Sequence, residues 1–317
     1  MKALLLKAIG ALLIATAIVI PLSRAPDRAV ETLVARWAPP PSDFIDVKGQ
    51  IVHLRDEGPR DDPLPVVLVH GTGASLHTWE GWVRELKGQH RVITFDLPGF
   101  GLTGPFAGNY TPGDYRGDTY ARFVLDLLDT LQVQRFVIGG NSLGGEVAWR
   151  TALLAPERVD RLILVDAAGA GFTPKSVPIG FLIARLPVLR DISEHLLPRV
   201  LVAATVASVY GDPKKVNSDL VDRYFELALR KGNRHALGQI VGAMEPGEGS
   251  NRIADIKVPT LILWGGRDQL IPLETAQKFK AAIAGSQLVV FDELGHVPQE
   301  EDAARTVAPV KAFLQLR

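Results

Sequence analysis

Apolar residues in this chain fall into short runs rich in Val, Ile and Leu, separated by longer stretches with helical periodicity such as Thr119 to Leu131. This alternation is typical of a parallel sheet wrapped by crossover helices, and we predict an α/β fold with a mostly parallel sheet of eight strands. The first two runs flank Lys48-Gly49 and predict a hairpin. The predicted strands are Phe44 to Val47, Ile51 to Arg55, Val66 to Val69, Arg91 to Phe95, Phe136 to Gly139, Arg161 to Val165, Thr260 to Leu263 and Leu288 to Phe291.

One long gap interrupts the alternation. From about Ala170 to Asn251 no strand run appears, only helical segments rich in Leu, Val and Ala that are broken by prolines. An insertion of this length between two sheet strands is usually functional, and we interpret it as a helical cap over the carboxyl edge of the sheet. We therefore divide the domain into a first core part (43–169), a helical cap (170–251) and a second core part (252–317).

The N-terminal segment (1–25) predicts a membrane anchor. Ala3 to Leu22 is apolar apart from Lys7 and Thr16, and as a helix these roughly 20 residues would be roughly 30 Å long. A cleaved signal peptide is the alternative, with Ala15-Thr16-Ala17 as the cleavage site, but the apolar run continues beyond it. We expect an uncleaved anchor with the folded domain on the exported side of the membrane, and secretion after cleavage as the second possibility.

A linker (26–42) joins this segment to the domain. Val30, Leu33, Val34 and Trp37 recur at helical spacing, which predicts a short helix that lies either at the membrane surface or against the domain. Three prolines, 39 to 41, then stiffen the chain into an extended spacer and mark the domain boundary.

Charge and cysteine content exclude several classes of function. Among 317 residues, 35 basic and 35 acidic side chains balance to a formal net charge of zero, which argues against a nucleic-acid partner. Because the chain has no cysteine, disulfides, thiolate nucleophiles and zinc–thiolate sites are excluded. Composition leaves the oligomeric state open.

The strand run that begins at Phe136 leads into Gly140-Asn141-Ser142-Leu143-Gly144, and a helical pattern follows. A serine between two glycines at a sharp strand-to-helix turn has the form of a nucleophile elbow, in which bulkier flanking residues would collide. An ordinary strand-to-helix loop would give the same short motif. The rest of the site has to distinguish the two interpretations.

A serine nucleophile needs a base and an acid that orients the base. Asp268 follows the strand run that begins at Thr260, and His296 follows the run that begins at Leu288. Both therefore leave the carboxyl ends of strands, where a mostly parallel sheet places its active site. We predict that Ser142, Asp268 and His296 form a catalytic triad. Asp166 also follows a strand and is the alternative acid, although its context suits a structural turn.

A glycine-rich loop, His70-Gly71-Thr72-Gly73, follows the third strand run. Acyl transfer generates an oxyanion, and we predict that the backbone N–H groups of Thr72 and Leu143 stabilise it. A phosphate-binding loop is the alternative, but neither of the usual glycine-lysine or dinucleotide patterns is present. His70 is expected to hold the loop by hydrogen bonds, and His77 is expected to line the pocket.

These motifs together resemble the α/β-hydrolase fold family, and the resemblance covers about Phe44 to Leu316. It implies a small hydrophobic substrate, no cofactor and no metal, and hydrolysis of an ester, a lactone or a carbon–carbon bond. The serine distinguishes the chain from relatives that use an aspartate nucleophile. The motifs that carry the resemblance are His70-Gly71-Thr72-Gly73, Asp96-Leu97-Pro98-Gly99-Phe100-Gly101, Gly140-Asn141-Ser142-Leu143-Gly144-Gly145, Gly265-Gly266-Arg267-Asp268 and Gly295-His296-Val297-Pro298.

Subfamily features point in two directions. The Gly-Asn-Ser-x-Gly-Gly form resembles hydrolases of aromatic meta-cleavage products, which break a carbon–carbon bond in a dienoic acid. Those enzymes typically carry a tryptophan after the catalytic histidine, where this chain has Val297, and an arginine in the cap, for which Arg185, Arg190 and Arg199 are candidates. The Gly-His-Val-Pro ending resembles carboxylesterases.

We therefore rank carboxylic ester hydrolysis first and carbon–carbon hydrolysis second. A binding protein that keeps the hydrolase fold without turnover is the third alternative. Gly71, Asn141, His77 and Val297 are expected to contact the substrate.

Overall fold

The computed structural model describes residues 23–186, 194–245 and 247–315. Their centre is a sheet of eight strands in the order β1-β2-β4-β3-β5-β6-β7-β8. β1 pairs antiparallel with β2 and β2 antiparallel with β4, and every later pairing is parallel, which confirms the predicted sheet. The strands are β1 (Ser42–Val47), β2 (Gln50–Glu57), β3 (Val66–Val69), β4 (Val92–Phe95), β5 (Phe136–Asn141), β6 (Val159–Val165), β7 (Thr260–Gly265) and β8 (Gln287–Phe291).

Helices cover both faces of this sheet and fill the long connection between β6 and β7. The described α-helices are α1 (Glu31–Trp37), α2 (Glu80–Leu86), α3 (Gly117–Thr130), α4 (Leu143–Leu154), α5 (Ile179–Arg185), α6 (Arg199–Val209), α7 (Ser218–Ala228), α8 (Asn233–Ala243), α9 (Glu274–Ala282), α10 (Pro298–Glu301) and α11 (Ala303–Gln315). Short 3₁₀ helices occur at Leu76–Trp79, Pro213–Lys215 and Ser250–Asp255.

The predicted hairpin closes where the sequence placed it. Val47 pairs with Gln50 across Lys48-Gly49, and both turn residues have positive φ, 55° and 88°. A two-residue turn of this handedness matches the right-handed twist of the strands that it joins, which explains the glycine at its second position.

Alternation along the strands divides the core into two layers. On β3, Val67 and Val69 belong to the cluster beneath α3, α4 and α9, whereas Val66 and Leu68 belong to the cluster beneath α2 and α11. Because successive side chains of a strand face opposite sides, a strand buried on both sides must be apolar throughout. This explains why the central strands appear in the sequence as continuous apolar runs.

The described part of the connection from β6 to β7 contains four α-helices, α5, α6, α7 and α8 in succession, and no strand of the sheet. Side chains from α5 and α8 line a cavity together with Ser142. The insertion therefore lies over the carboxyl ends of the strands. The domain limits drawn at residues 170 and 251 stay a prediction.

Helix α1 packs against the domain. Leu33 is 1% exposed and belongs to a small apolar cluster with Leu102 and Leu227, the latter on α7. Beside this cluster, Arg36 Nη1 and Trp37 Nε1 donate to the Glu226 carboxylate, both within 2.8 Å. Of the two interpretations of this segment, the structure shows the helix that lies on the domain.

The predicted membrane anchor has to be corrected. Among the helices of the described residues, none is long and apolar enough to cross a bilayer. The longest of them, α3, has 14 residues, whereas a span needs about 20 apolar residues. The apolar stretch Ala3 to Leu22 itself lies outside the described residues. The structure therefore gives no support to membrane attachment. The localisation that was inferred from the predicted anchor is wrong on this finding.

Two glycines allow β5 to turn directly into α4. A methyl group on Gly140 would lie 2.0 Å from the Gly144 carbonyl oxygen, and one on Gly144 would lie 2.1 Å from the Val69 carbonyl oxygen. Contacts this short leave no room for a side chain. The helix can therefore start immediately above β3 and β5 only because both positions lack Cβ.

Replacing Gly144 by alanine is expected to lower the free energy of unfolding by about 1–3 kcal/mol, because the new methyl group overlaps rigid backbone. Thermal or denaturant unfolding measures the change. Gly242→Ala in α8 is the matched control, since a methyl group there meets nothing within 4 Å. It should be neutral or stabilising by up to about 1 kcal/mol. Equal effects of the two substitutions would contradict the packing argument.

Candidate active site

Ser142 occupies the turn between β5 and α4 in a strained conformation. Its φ is 58° and its ψ is −120°, a combination that residues with a Cβ rarely adopt. The residue is half-buried and lines a cavity at the carboxyl edge of the sheet. The geometry is that of the predicted elbow, with the side chain next to open space rather than packed in the core.

A buried hydrogen bond joins the other two predicted triad residues. His296 Nδ1 lies 2.7 Å from Asp268 Oδ2, and Asp268 Oδ1 accepts hydrogen bonds from the backbone N–H groups of Leu270 and Ile271 at 2.8 and 2.9 Å. Because the Asp268 carboxylate can only accept, His296 Nδ1 carries the hydrogen of this bond, and in a neutral ring Nε2 carries none. Nε2 is then the basic nitrogen and is available to accept a proton.

Asn141 holds the histidine loop next to the serine. Its Nδ2 donates to the carbonyl oxygens of His296 at 2.9 Å and Val165 at 3.2 Å. From the other side, the His296 N–H donates to the Val209 carbonyl of α6 at 2.8 Å. The residue that precedes Ser142 in the chain thus fixes the backbone of His296, and the loops after β5 and β8 meet at one place.

The glycine-rich loop after β3 completes this edge. Thr72 and Leu143 line the same cavity as Ser142. A methyl group on Gly71 would lie 3.0 Å from Ser142 Cβ, so this backbone packs directly against the serine. The buried Thr72 Oγ1 has no hydrogen-bond partner among the described residues. The sequence pointed only to the backbone N–H of Thr72, and its unpaired hydroxyl is a second polar group beside the serine.

His70 ties the glycine loop to the loop after β4. Its Nδ1 donates to the Gly71 carbonyl at 2.8 Å, and its Nε2 accepts from the Leu97 N–H at 2.9 Å. One donating and one accepting nitrogen describe a neutral imidazole. Burial lowers the pKa of His70, which keeps it neutral. Its position agrees with the expected holding role, and it does not line the Ser142 cavity.

The cavity beside Ser142 has an apolar lining with charged groups among it. Arg116 contributes a cation, whereas Glu146, Glu245 and Glu248 contribute carboxyl groups. Burial raises the pKa of Glu146, whose carboxylate accepts from Arg150 Nε at 2.8 Å. Apolar contributions come from Tyr115, Phe172, Phe181, Ile240, Leu270 and Ile271.

Three of the residues that were expected to contact the substrate do not line this cavity. His77 is buried, and its Nδ1 and Nε2 hydrogen-bond to Ser75 Oγ and the Trp37 carbonyl oxygen. It lines a separate polar cavity. Val297 packs against Val206 and Tyr210, and the Asn141 amide is used by the loops described above. Gly71 is adjacent to Ser142, but of the glycine loop it is Thr72 that lines the cavity.

Asp166, the alternative acid that the sequence offered, lies beside Asp268 and His296 in the structure. One ligand atom from each of Asp166, Asp268 and His296 fits within 4.8 Å, and all three side chains are buried. The signal in the sequence was the position of Asp166, immediately after a parallel strand like the other two.

Comparisons with known proteins identify the family of this chain. Residues 66–310 match the model of the family described as "Alpha/beta hydrolase family". The chain is 32% identical to an uncharacterized protein of Mycobacterium bovis, over 87% of this chain and 82% of that protein. It is 30% identical to 2-hydroxy-6-oxononadienedioate/2-hydroxy-6-oxononatrienedioate hydrolase of Escherichia coli O81, over 80% of this chain and 86% of that enzyme.

Among solved structures, the meta-cleavage product hydrolase of Pseudomonas fluorescens IP01 superposes with a TM-score of 0.72 at 27% identity, over 86% of this chain and 97% of that one. The match of the family model spans most of the chain and includes the strands that carry Ser142, Asp268 and His296. This protein therefore belongs to the α/β hydrolase family, and it resembles the members that hydrolyse carbon–carbon bonds.

Proposed function

We propose that this protein is a serine hydrolase that forms an acyl-enzyme on Ser142. The observation that carries the proposal is the buried His296–Asp268 hydrogen bond of 2.7 Å, on a loop that Asn141 fixes beside the strained serine. His296 Nε2 removes the proton of Ser142 as its oxygen attacks the substrate carbonyl. The N–H groups of Thr72 and Leu143 stabilise the resulting oxyanion.

The second half of the reaction uses the same groups. The proton on His296 passes to the leaving group as the tetrahedral intermediate collapses, and a water molecule then attacks the acyl-enzyme with His296 again as base. Asp268 keeps the ring oriented and stabilises its charged form in both steps. No oxidant and no co-substrate other than water is needed for these steps.

Two classes of scissile bond fit this chemistry, and the comparisons reverse the order in which the sequence analysis placed them. A curated relative with a named activity, the 2-hydroxy-6-oxononadienedioate/2-hydroxy-6-oxononatrienedioate hydrolase of Escherichia coli O81, is a carbon–carbon hydrolase at 30% identity over 80% of this chain. The Gly-Asn-Ser-x-Gly-Gly elbow supports the same class. We therefore rank hydrolysis of a carbon–carbon bond in a meta-cleavage-type dienoic acid first.

One structural observation favours an uncharged ester as the second candidate. The cavity beside Ser142 presents three glutamates and one arginine, and the exposed Arg116 guanidinium is already paired with Asp114 at 2.7 Å. Carboxylates repel an anionic dienoate. Of the cap arginines, Arg199 is bound to Asp222 and the exposed Arg185 does not line the cavity, while Arg190 lies outside the described residues.

An apolar acyl group suits both classes. A second cavity, within the cap, shares Phe181 with the Ser142 cavity and has a mostly apolar lining that includes Leu197, Leu201, Val206 and Leu237. A hydrophobic chain on the acyl side of the substrate would extend past Phe181 into this space.

Changing Ser142 to alanine is expected to reduce kcat by about 10⁴-fold or more, because no other group supplies the nucleophile. A fluorophosphonate probe should label the wild-type protein covalently and should not label the variant. Circular dichroism serves as the control for folding. A folded Ser142→Ala protein that still turns over substrate would overturn the mechanism, and a wild-type protein that neither reacts with the probe nor turns over substrate would favour the non-catalytic binding protein.

The two bond classes separate in one assay series. We expect kcat/KM for a meta-cleavage dienoate to exceed that for a nitrophenyl ester of similar acyl group. Glu245→Gln removes one carboxylate from the cavity and should raise kcat/KM for the anionic dienoate severalfold while leaving that for the neutral ester unchanged. Turnover of esters alone, in both proteins, would instead select ester hydrolysis.

Phe181 separates the two apolar cavities, so Phe181→Ala should raise the rate on long-chain relative to short-chain acyl substrates. A shift in this ratio on the order of tenfold is expected, since each accommodated methylene contributes about 1 kcal/mol or more. Leu182→Ala on the same helix is the matched control, because Leu182 is 48% exposed. An unchanged chain-length preference in Phe181→Ala would contradict this role.

A further inference from the structure

Asp166 is a fully buried carboxyl group that the acyl-transfer mechanism above does not use. It follows β6 directly, its φ is 44°, and its side chain is 0% exposed. A non-glycine residue in the left-handed region and a buried acid group are both unfavourable, and together they indicate a constrained position. The inference drawn from it rests on the proposed function, since it concerns the acid that orients His296.

Hydrogen bonding leaves one oxygen of Asp166 without a donor. Its Oδ1 accepts from the Gly265 N–H at 2.9 Å, but its buried Oδ2 has no partner among the described residues. The carboxyl group nevertheless lies beside Asp268, with one oxygen of each side chain within 4.8 Å of the other. Two carboxylates are both acceptors only, so the contact becomes a hydrogen bond only when one of the two carries a proton.

Asp268 can accept one further hydrogen bond. Its Oδ1 already accepts from the N–H groups of Leu270 and Ile271, and its Oδ2 accepts from His296 Nδ1. A carboxylate oxygen takes about two donors, which leaves one acceptor position on Oδ2. A proton on Asp166 would fill that position and would satisfy Asp166 Oδ2 at the same time.

The surroundings of Asp166 disfavour its ionised form. Burial is the main cause that raises its pKa well above the ordinary value, and the negative charges of Asp268 and, more weakly, Glu301 add to it. The neighbouring His296 is joined to Asp268. Glu301 accepts from Gly295 N–H at 2.9 Å and lies 3.7 Å from Lys215.

Asp96 shows the opposite arrangement at a corresponding position, after β4. It is also 0% exposed, but its carboxylate accepts from His53 Nδ1 and from the N–H groups of Leu76 and Leu102, all within 2.8 Å. Burial would raise its pKa, but His53 and, more weakly, His70 and His77 hold it below the usual range. The two aspartates follow strands of the same sheet, and they differ in whether donors or an acceptor face them.

We propose that Asp166 is a neutral carboxylic acid whose O–H donates to Asp268 Oδ2, and that it is a positioning residue for the acid–base pair. The shared proton fixes the Asp268 carboxylate toward His296 from the side opposite to Leu270 and Ile271. It also leaves one negative charge beside His296 instead of two.

The substitution Asp166→Asn tests the charge state. The amide oxygen can still accept from Gly265, and the NH₂ group can still donate to Asp268. We therefore expect kcat/KM to change little and the acidic limb of its pH profile to shift by less than about half a pH unit. An ionised Asp166 predicts the opposite: loss of a negative charge would move the acidic limb to lower pH by about one unit or more. That result would overturn the proposal.

Asp166→Ala tests the positioning role, because alanine cannot donate to Asp268. We expect kcat to fall on the order of tenfold with little change in KM, and Asp166→Asn to restore it, which loss of folding alone would not explain. Full activity of Asp166→Ala would show that the hydrogen bond orients nothing.

A spectroscopic test does not depend on turnover. In the Ser142→Ala background at neutral pH, the difference infrared spectrum between Asp166 and Asp166→Asn proteins should contain the C=O band of a neutral carboxylic acid. The difference for Asp96→Asn should contain none. Absence of the Asp166 band would overturn the shared proton, whereas failure of the proposed hydrolase activity would leave this band in place.

Stability provides a second measurement that is independent of activity. Below the ordinary Asp pKa of about 4 both the folded and unfolded chains hold the proton, whereas above it only the folded chain does. The free energy of unfolding of the wild type relative to Asp166→Asn should therefore decrease as pH rises from about 4 toward the raised pKa. For the ionised Asp96, whose pKa is lowered, the corresponding difference from Asp96→Asn should instead increase as pH rises toward about 4 and stay constant above it. A flat difference for Asp166 would contradict the assignment.

Discussion

The site depends on one steric constraint: the backbone at Ser142 can turn with positive φ only because Gly140 and Gly144, two positions away on either side, lack side chains. Gly140 and Gly144 approach carbonyl oxygens of the neighbouring backbone so closely that a Cβ at either position would overlap them. Removal of this bulk lets α4 begin directly above β3 and β5, and places the serine at the edge of the sheet instead of within it. The strain is held by the packing of buried strands on both sides.

Around that turn, each loop of the site is fixed by a polar side chain that no solvent reaches. Asn141 binds the histidine loop, His70 joins the loops after β3 and β4, and Asp96 binds the backbone of two further segments. In a buried site such hydrogen bonds are costly to leave unmade, so the loops have few alternative positions. Catalytic groups held this way need little reorganisation during reaction.

The sheet and the order of the triad residues could be predicted from the sequence because both follow from local patterns. Apolar runs mark strands, and Ser142, Asp268 and His296 each follow the carboxyl end of a strand. The contact of Asp166 with Asp268 could not be predicted, since it requires knowing that β6 and β7 are neighbours in the sheet. His77 lies close in sequence to the glycine loop, but the 3₁₀ helix that contains it directs its ring to Trp37. The membrane anchor was predicted from hydropathy alone, and no helix of the described residues supports it.

The segment before β1 has a consequence for the volume in which a substrate would sit. Helix α1 is joined to α7 of the cap through Glu226 and Leu227, the Ala25 N–H donates to the His195 carbonyl, and the Trp37 carbonyl binds His77 of the core. The segment before β1 thus connects the cap to the core, in addition to the two chain connections of the cap itself. A chain shortened to begin at β1 would keep Ser142, Asp268 and His296 but would lose this connection, and with it a constraint on the distance between the cap and the sheet below it.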